Sequence, residues 1–238
     1  LRDHVLQQAS AVRVSIEQRL NTSLNLTMGL VVYVATYPEI TQQEFAAIAE
    51  KVLEHARFIR NIGLAKDNVI THIYPLEGNR KALGARLLEI PDQRAAALRA
   101  IESKDTVIAG PVALVQGGTA FISRIPIFLD KDHTQLWGLT SVVMNVDAFF
   151  REAEIERFAG DMVLALRGKD SLGADGEVFY GDAGLFTRAD AVQLPITLPQ
   201  GRWVLAAALR DGGQMDDRRS AILLGVGIGI SLLISLLI

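Results

Sequence analysis

TVIAGPVALVQGGTAFISRIPIFLDKDHTQLWGLTSVVMNV, residues 106–146, reads as three strands in direct succession. Residues 106–115 form the first, Gly117-Gly118 is a tight turn, and 119–129 is the hairpin partner. Lys131-Asp132 turns the chain again into a third strand over 136–146. Connections this short join only antiparallel neighbours, because a parallel return needs a crossover of about a dozen residues or more.

Two further strand-like runs lie upstream, 58–64 and 69–74, separated by the turn residues Lys66-Asp67-Asn68. Helical patterns over 79–88 and 91–103 follow, the second with Pro91 suitably placed in a first turn. A helix over 147–158 closes the unit. The order strand, strand, helix, helix and three strands implies an α+β fold with a five-stranded sheet. A shorter, strand-rich unit comes next, at 162–167, 178–180, 192–198 and 203–209, with turns at Ala174-Asp175-Gly176 and Pro199-Gln200-Gly201.

Ahead of both units, residues 1–36 repeat apolar side chains at three- and four-residue steps: Val5, Ala9, Val12, Ile16, Leu20, Leu24, Met28 and Val31. No proline interrupts before Pro38. One helix of about 50 Å is expected at 1.5 Å per residue. Two readings are open for it, a coiled-coil-like dimer stalk and a spine packed on its own domain. Thr41-x-x-Glu44 is a capping box that opens a second helix through residue 55.

At the other end, residues 221–238 read AILLGVGIGISLLISLLI, without a charge, after the cluster Asp216-Asp217-Arg218-Arg219. Such a run is long enough to cross the roughly 30 Å hydrocarbon core of a bilayer as a transmembrane helix. Gly225 and Gly229 give it a GxxxG pair suited to close helix approach. The expected organisation is a helical spine at 1–57, a larger unit at 58–158, a smaller one at 159–212, a linker at 213–220 and the membrane helix at 221–238. Residues 1–220 would then lie in the periplasm of a bacterium, tethered to its inner membrane.

Chemistry is sparse. With no cysteine, disulfides, thiolate catalysis and Cys-ligated metals are excluded. A net charge of −3 without a basic stripe argues against nucleic acid. His4, His55, His72 and His133 are far apart, none with a second ligand at metal-binding spacing. The carboxylates of 170–176 do not fit a calcium loop. A strand, not a helix, follows Gly117-Gly118, so this is no phosphate loop, and no nucleophile–base motif is present. No catalytic residue, metal or cofactor is therefore expected, and no enzyme within these residues. What remains is binding. The segment 74–79 at a strand end, Gln116, Arg124 and Trp137 could share one face of the larger sheet. Arg124 stands in an apolar strand, where a cation needs a partner or solvent. It would contact a ligand, or hold loops by pairing with Glu77 or Asp130.

Several segments in order resemble the CHASE domain, the extracytoplasmic sensor of histidine kinases and nucleotide cyclases. They are Val69-Ile-Thr-His-Ile-Tyr-Pro-Leu-Glu-Gly-Asn79, Ala82-Leu-Gly84, Pro91-x-x-Arg94, Ala109-Gly-Pro-Val-x-Leu-Val-Gln-Gly-Gly118, Arg124-x-Pro-Ile-Phe128 and Trp137-Gly-x-x-Ser141. The similarity is good over residues 45–155. It implies two PAS-like antiparallel α/β units in tandem on a long dimerising helix, and a homodimeric receptor whose distal unit binds a small organic molecule. Plant relatives grip a cytokinin's adenine with an acidic residue after the Leu-Gly. Here Arg86 holds that place, with Glu89 and Asp92 nearby. A purine or cytokinin-like ligand is thus disfavoured against one bearing an acidic or carbonyl group.

The function expected is small-molecule sensing by a transmembrane receptor of the histidine kinase (two-component) or diguanylate cyclase type. Ligand-binding residues would be Tyr74, Arg86, Ile108, Gln116, Phe121, Arg124 and Trp137. The competing reading is a periplasmic docking or dimerisation module without a small ligand.

Overall fold

α1 (Arg2–Thr36) places Val5, Ala9, Val12, Ile16, Leu20, Ser23, Thr27, Leu30 and Val34 inside, one every third or fourth residue. The computed structural model describes residues 2–113 and 118–210. From Ser23 onward the buried stripe departs from the apolar positions expected: two hydroxyl residues turn inward, and Met28 is exposed. The helix's phase is carried on by Val5 to Leu20, so residues 23 and 27 face the sheet whatever their polarity. α1 runs along both sheets of the molecule, so it is a spine on its own fold.

α2 (Gln42–His55) begins at the expected capping box. The Thr41 hydroxyl accepts from the Glu44 amide, and the Glu44 carboxylate accepts from the Thr41 amide. There follow β1 (Ile59–Lys66), β2 (Val69–Tyr74), α3 (Pro91–Ser103), β3 (Val107–Ala113), β4 (Thr119–Phe128) and β5 (Leu136–Asn145). The helix expected at 79–88 is replaced by two short 3-10 turns, Arg80–Ala82 and Leu87–Glu89. Tertiary pairing overrides local propensity here. The Gly84 amide donates to the Ile70 carbonyl, the Ile70 amide to Ala85, and Arg86 bridges Val69. Gly84, at φ +83°, makes the bend that brings this segment over β2.

The helix expected at 147–158 is broken at Ala153-Glu154, giving α4 (Val146–Glu152) and α5 (Ile155–Ala159). β6 (Met162–Arg167), β7 (Val178–Tyr180), β8 (Val192–Thr197) and β9 (Arg202–Leu209) complete the described chain. The five-stranded sheet has the order β2-β1-β5-β4-β3 and the four-stranded one β7-β6-β9-β8, with every pairing antiparallel. The architecture is α+β, as expected.

Each face of the larger sheet has its own cover. Ile62, Leu64, Ile108, Phe121, Val142 and Met144 belong to the main core with α1 and α2. Ala65, Val107, Ala109 and Leu139 pack instead with Ala96, Ala97 and Ala100 of α3. An aromatic seam ties the two sheets together: Phe121 lies 4.7 Å from Trp203 and 5.8 Å from Phe179, ring centre to ring centre. No helix among the described residues is long and apolar enough to cross a membrane. The expected span at 221–238 and its linker lie outside the described residues.

Candidate functional site

Register brings Arg124 of β4 opposite Ser141 of β5, and Ser141 opposite Gly63 of β1. One step along, Ile122, Val143 and Asn61 line up in the same way. These six positions share the face toward α3, because alternate residues of a strand point the same way. They floor a cavity of about 200 Å³. Its other walls come from β2, from the segment folded over β2 and from the first turn of α3, including Ile73, Asn79, Ala85 and Gln93.

Arg124 dominates this cavity. It is only 3% exposed. One terminal nitrogen donates to the Ser141 hydroxyl and the other to the Gln93 side-chain carbonyl, while Nε has no partner. Neither Glu77 nor Asp130 pairs with it, and no ion pair among the described side chains brings it a carboxylate. Asp130 instead accepts from Thr134 and Gln135, which lowers its pKa to about 2. Burial alone holds the Arg124 guanidinium down to about 10. Beside it, Asn61 donates to the Asn79 side chain at 3.3 Å, and Asn79 donates to the Pro75 carbonyl at 2.9 Å. The cavity is thus mainly apolar, with one desolvated cation and a few amide and hydroxyl groups. It suits a small organic anion.

The other expected residues do not join Arg124. Ile108 and Phe121 lie on the opposite face of the sheet, in the main core, and Phe121 belongs to the aromatic seam. Period two requires this: Phe121 cannot share a face with Ile122 and Arg124. Trp137 is buried on the spine side, its indole donating to the Pro38 carbonyl at 3.0 Å. Tyr74 packs at the main core's margin, and desolvation, then the Glu50 carboxylate, raises its phenol pKa. Arg86 is exposed and pairs with Glu89 at 2.8 Å, since the 3-10 turn carries it outward. Gln116 lies outside the described residues. Asn61, Gly63, Gln93 and Ser141 were missed. Alternation from Arg124 and the hairpin register would have pointed to Ser141. Asn61, Gly63 and Gln93 carry no local signal.

A larger, more open groove of about 760 Å³ runs beside β6, near Leu164, Tyr180, Asp182 and Arg188. Arg188 there is already held by Asp190 and by the Leu209 carbonyl. The groove therefore lacks the unpaired buried charge that marks the smaller cavity.

Two antiparallel sheets strung on one long helix, with a small cavity against the larger, make a fold also found in solved extracellular sensor domains. Solved structures agree. The chain superposes with a TM-score of 0.61 and 15% identity on the ligand-binding domain of the Pseudomonas aeruginosa amino acid chemoreceptor PctC in complex with GABA, covering 84% of this chain and 95% of that one. The sensor domain of the V. cholerae histidine kinase DctB gives 0.55 at 10% identity, with 86% and 95% covered. An extracellular ligand-binding receptor from Desulfohalobium retbaense gives 0.59 at 16%; 82% of this chain aligns, and it spans only 39% of that structure's length. No curated protein matches in sequence. The CHASE domain model matches residues 65–180, so the resemblance read from the sequence is shown over that segment.

Proposed function

We propose that this chain is the extracytoplasmic sensor of a transmembrane receptor and that it binds a small carboxylate in the cavity around Arg124. One observation carries the reading: a guanidinium almost wholly buried in an apolar cavity, with a free Nε and no carboxylate partner among the described side chains. A buried charge without a counter-ion is costly, and an anion entering from solvent relieves that cost. The donors offered are the wrong complement for a purine's N–H edge, so a carboxylate is favoured over a cytokinin-like ligand. GABA, the ligand of the P. aeruginosa relative, has this chemistry.

In this reading residues 1–220 stand outside the inner membrane and 221–238 pass through it. The exposed apolar residues Leu6, Val14, Met28 and Val32 of α1 support a homodimer along that helix. The output would be a histidine kinase or a cyclic-nucleotide enzyme beyond this segment. The test is calorimetric titration of the 238-residue chain in detergent with short carboxylates, GABA and amino acids, each beside its uncharged amide. Binding of an acid but not its amide, abolished by Arg124→Met, is the expected result. Saturable binding of a carboxylate that survives Arg124→Met would overturn the site, and silence across the panel would favour a docking module.

A further inference from the structure

One helix, α3, links the cavity wall to the four-stranded sheet through side-chain hydrogen bonds. α3 begins at the cavity, where Gln93 in its first turn accepts from Arg124. Six residues on, about 9 Å along the axis, Arg99 donates to the Asp170 carbonyl at 2.7 Å. Asp170 belongs to the loop after β6, which lies against β3. Its carboxylate accepts from the Gly110 amide at 2.7 Å, and Ser171 donates to the Ile108 carbonyl. The Gly110 amide is free to bond there because the β3–β4 ladder slips between Ala109 and Val112.

Asp170 and Ser171 both have left-handed backbones, at φ +60° and +66°. Side-chain residues adopt that conformation only where their surroundings impose it. The far side of the same loop touches the start of β9. Leu172 bridges Arg202, and a Cβ on Gly201 would sit 2.1 Å from the Ser171 carbonyl oxygen. A second tie joins the far end of α3 to the same turn, Gln200 donating to the Asp105 carboxylate at 2.9 Å.

We infer that α3 is the lever that reports occupancy of the cavity to β9, through the Arg99–Asp170 joint. This rests on the proposed ligand reading. A carboxylate that takes the donors of Arg124 displaces the Gln93 carbonyl, and the first turn of α3 is released. Arg99 moves with the helix, and the loop it holds is wedged between β3 and β9. β9 is a central strand of its sheet and leads on toward residue 211. A ligand shifts a conformational equilibrium only through contacts that differ between the two states, and the exchange of Gln93 for carboxylate is such a difference.

The experiment needs no identified ligand. Amide hydrogen exchange is followed on the whole chain in detergent, for Gln93→Ala, Arg99→Lys and the double variant. Gln93→Ala, which cuts the link to Arg124, is expected to change exchange at Gly110 and across residues 202–207 by threefold or more. In the Arg99→Lys background that change is expected to vanish. Asp170→Asn, which keeps an acceptor and tolerates the left-handed backbone, should retain the coupling and shows that the joint still folds. If Gln93→Ala alters exchange only around the cavity, or acts equally in both backgrounds, the lever is wrong. Propionate titrated into wild type tests the ligand reading separately. No response to propionate, with the Gln93–Arg99 coupling intact, would remove the ligand and leave the lever.

Discussion

Replacing Arg124 with methionine should leave the protein about as stable as before and blind to carboxylates. Burial brings the guanidinium from its ordinary value down to about 10, so the fold holds the charged form at a cost of about 3 kcal/mol, each pKa unit being 1.36 kcal/mol. Methionine has a similar stem and no charge. Against the gain stand the two hydrogen bonds to Ser141 and Gln93, worth about 1.5 kcal/mol each because the donor is charged. The two nearly cancel, so the expected change is less than about 1 kcal/mol, within about 2–4 °C in Tm for a domain of this size.

The pH dependence follows from the same quantities. The folded pKa is the lower one, so below about 10 both states are protonated and the penalty is constant. It fades only as pH rises above about 10. The small stability difference of Arg124→Met should therefore be level between pH 5 and 9. Thermal denaturation of both proteins, with and without 10 mM propionate or GABA, measures all of this. A loss of about 2 kcal/mol or more in Arg124→Met would refute the reasoning, since it would make the cation a structural anchor.

Other substitutions probe the remaining parts. Gly63 has no positive φ, and a Cβ there would come no nearer than 3.4 Å to the His72 carbonyl; Gly63→Leu should fill the cavity and abolish calorimetric binding while the circular dichroism spectrum stays native. Trp203→Ala removes the largest fully buried side chain from the aromatic seam; a loss of about 3–5 kcal/mol is expected by urea denaturation, and a loss below 1 would mean that the sheets are not joined through it. Burial lowers the pKa of His72, against the opposing effect of the Ile40 carbonyl. Stability should therefore fall as pH drops from 6.5 toward that lower value, where the unfolded chain binds the extra proton, and His72→Gln should flatten the slope between pH 5 and 7.

Much of the architecture was legible along the chain. The 3.6-residue stripe from Val5 to Leu20, the capping box at Thr41 and Glu44, and the alternating strands of 106–146 depend on neighbours a few residues away. Those local patterns determined the spine, the antiparallel order and the α+β class. The resemblance to the CHASE domain rested on ordered short segments and needed no coordinates. Arg124 could be singled out because a cation in an apolar strand is conspicuous wherever the strand lies.

The site itself was decided in three dimensions. Alternation puts Phe121 and Arg124 on opposite faces, but only the packing of α1 and α3 says which face is core and which holds the cavity. Asn61 and Gly63 of β1, Gln93 of α3 and Ser141 of β5 come from three separate elements, and no spacing in the chain relates those elements. The 79–88 segment has helical composition, yet its backbone finds partners on β2, and that pairing moves Arg86 out to solvent. Hydrogen bonds and burial between distant residues outweigh local propensity where they compete, so the chain's order dictated the elements and tertiary contact chose the pocket.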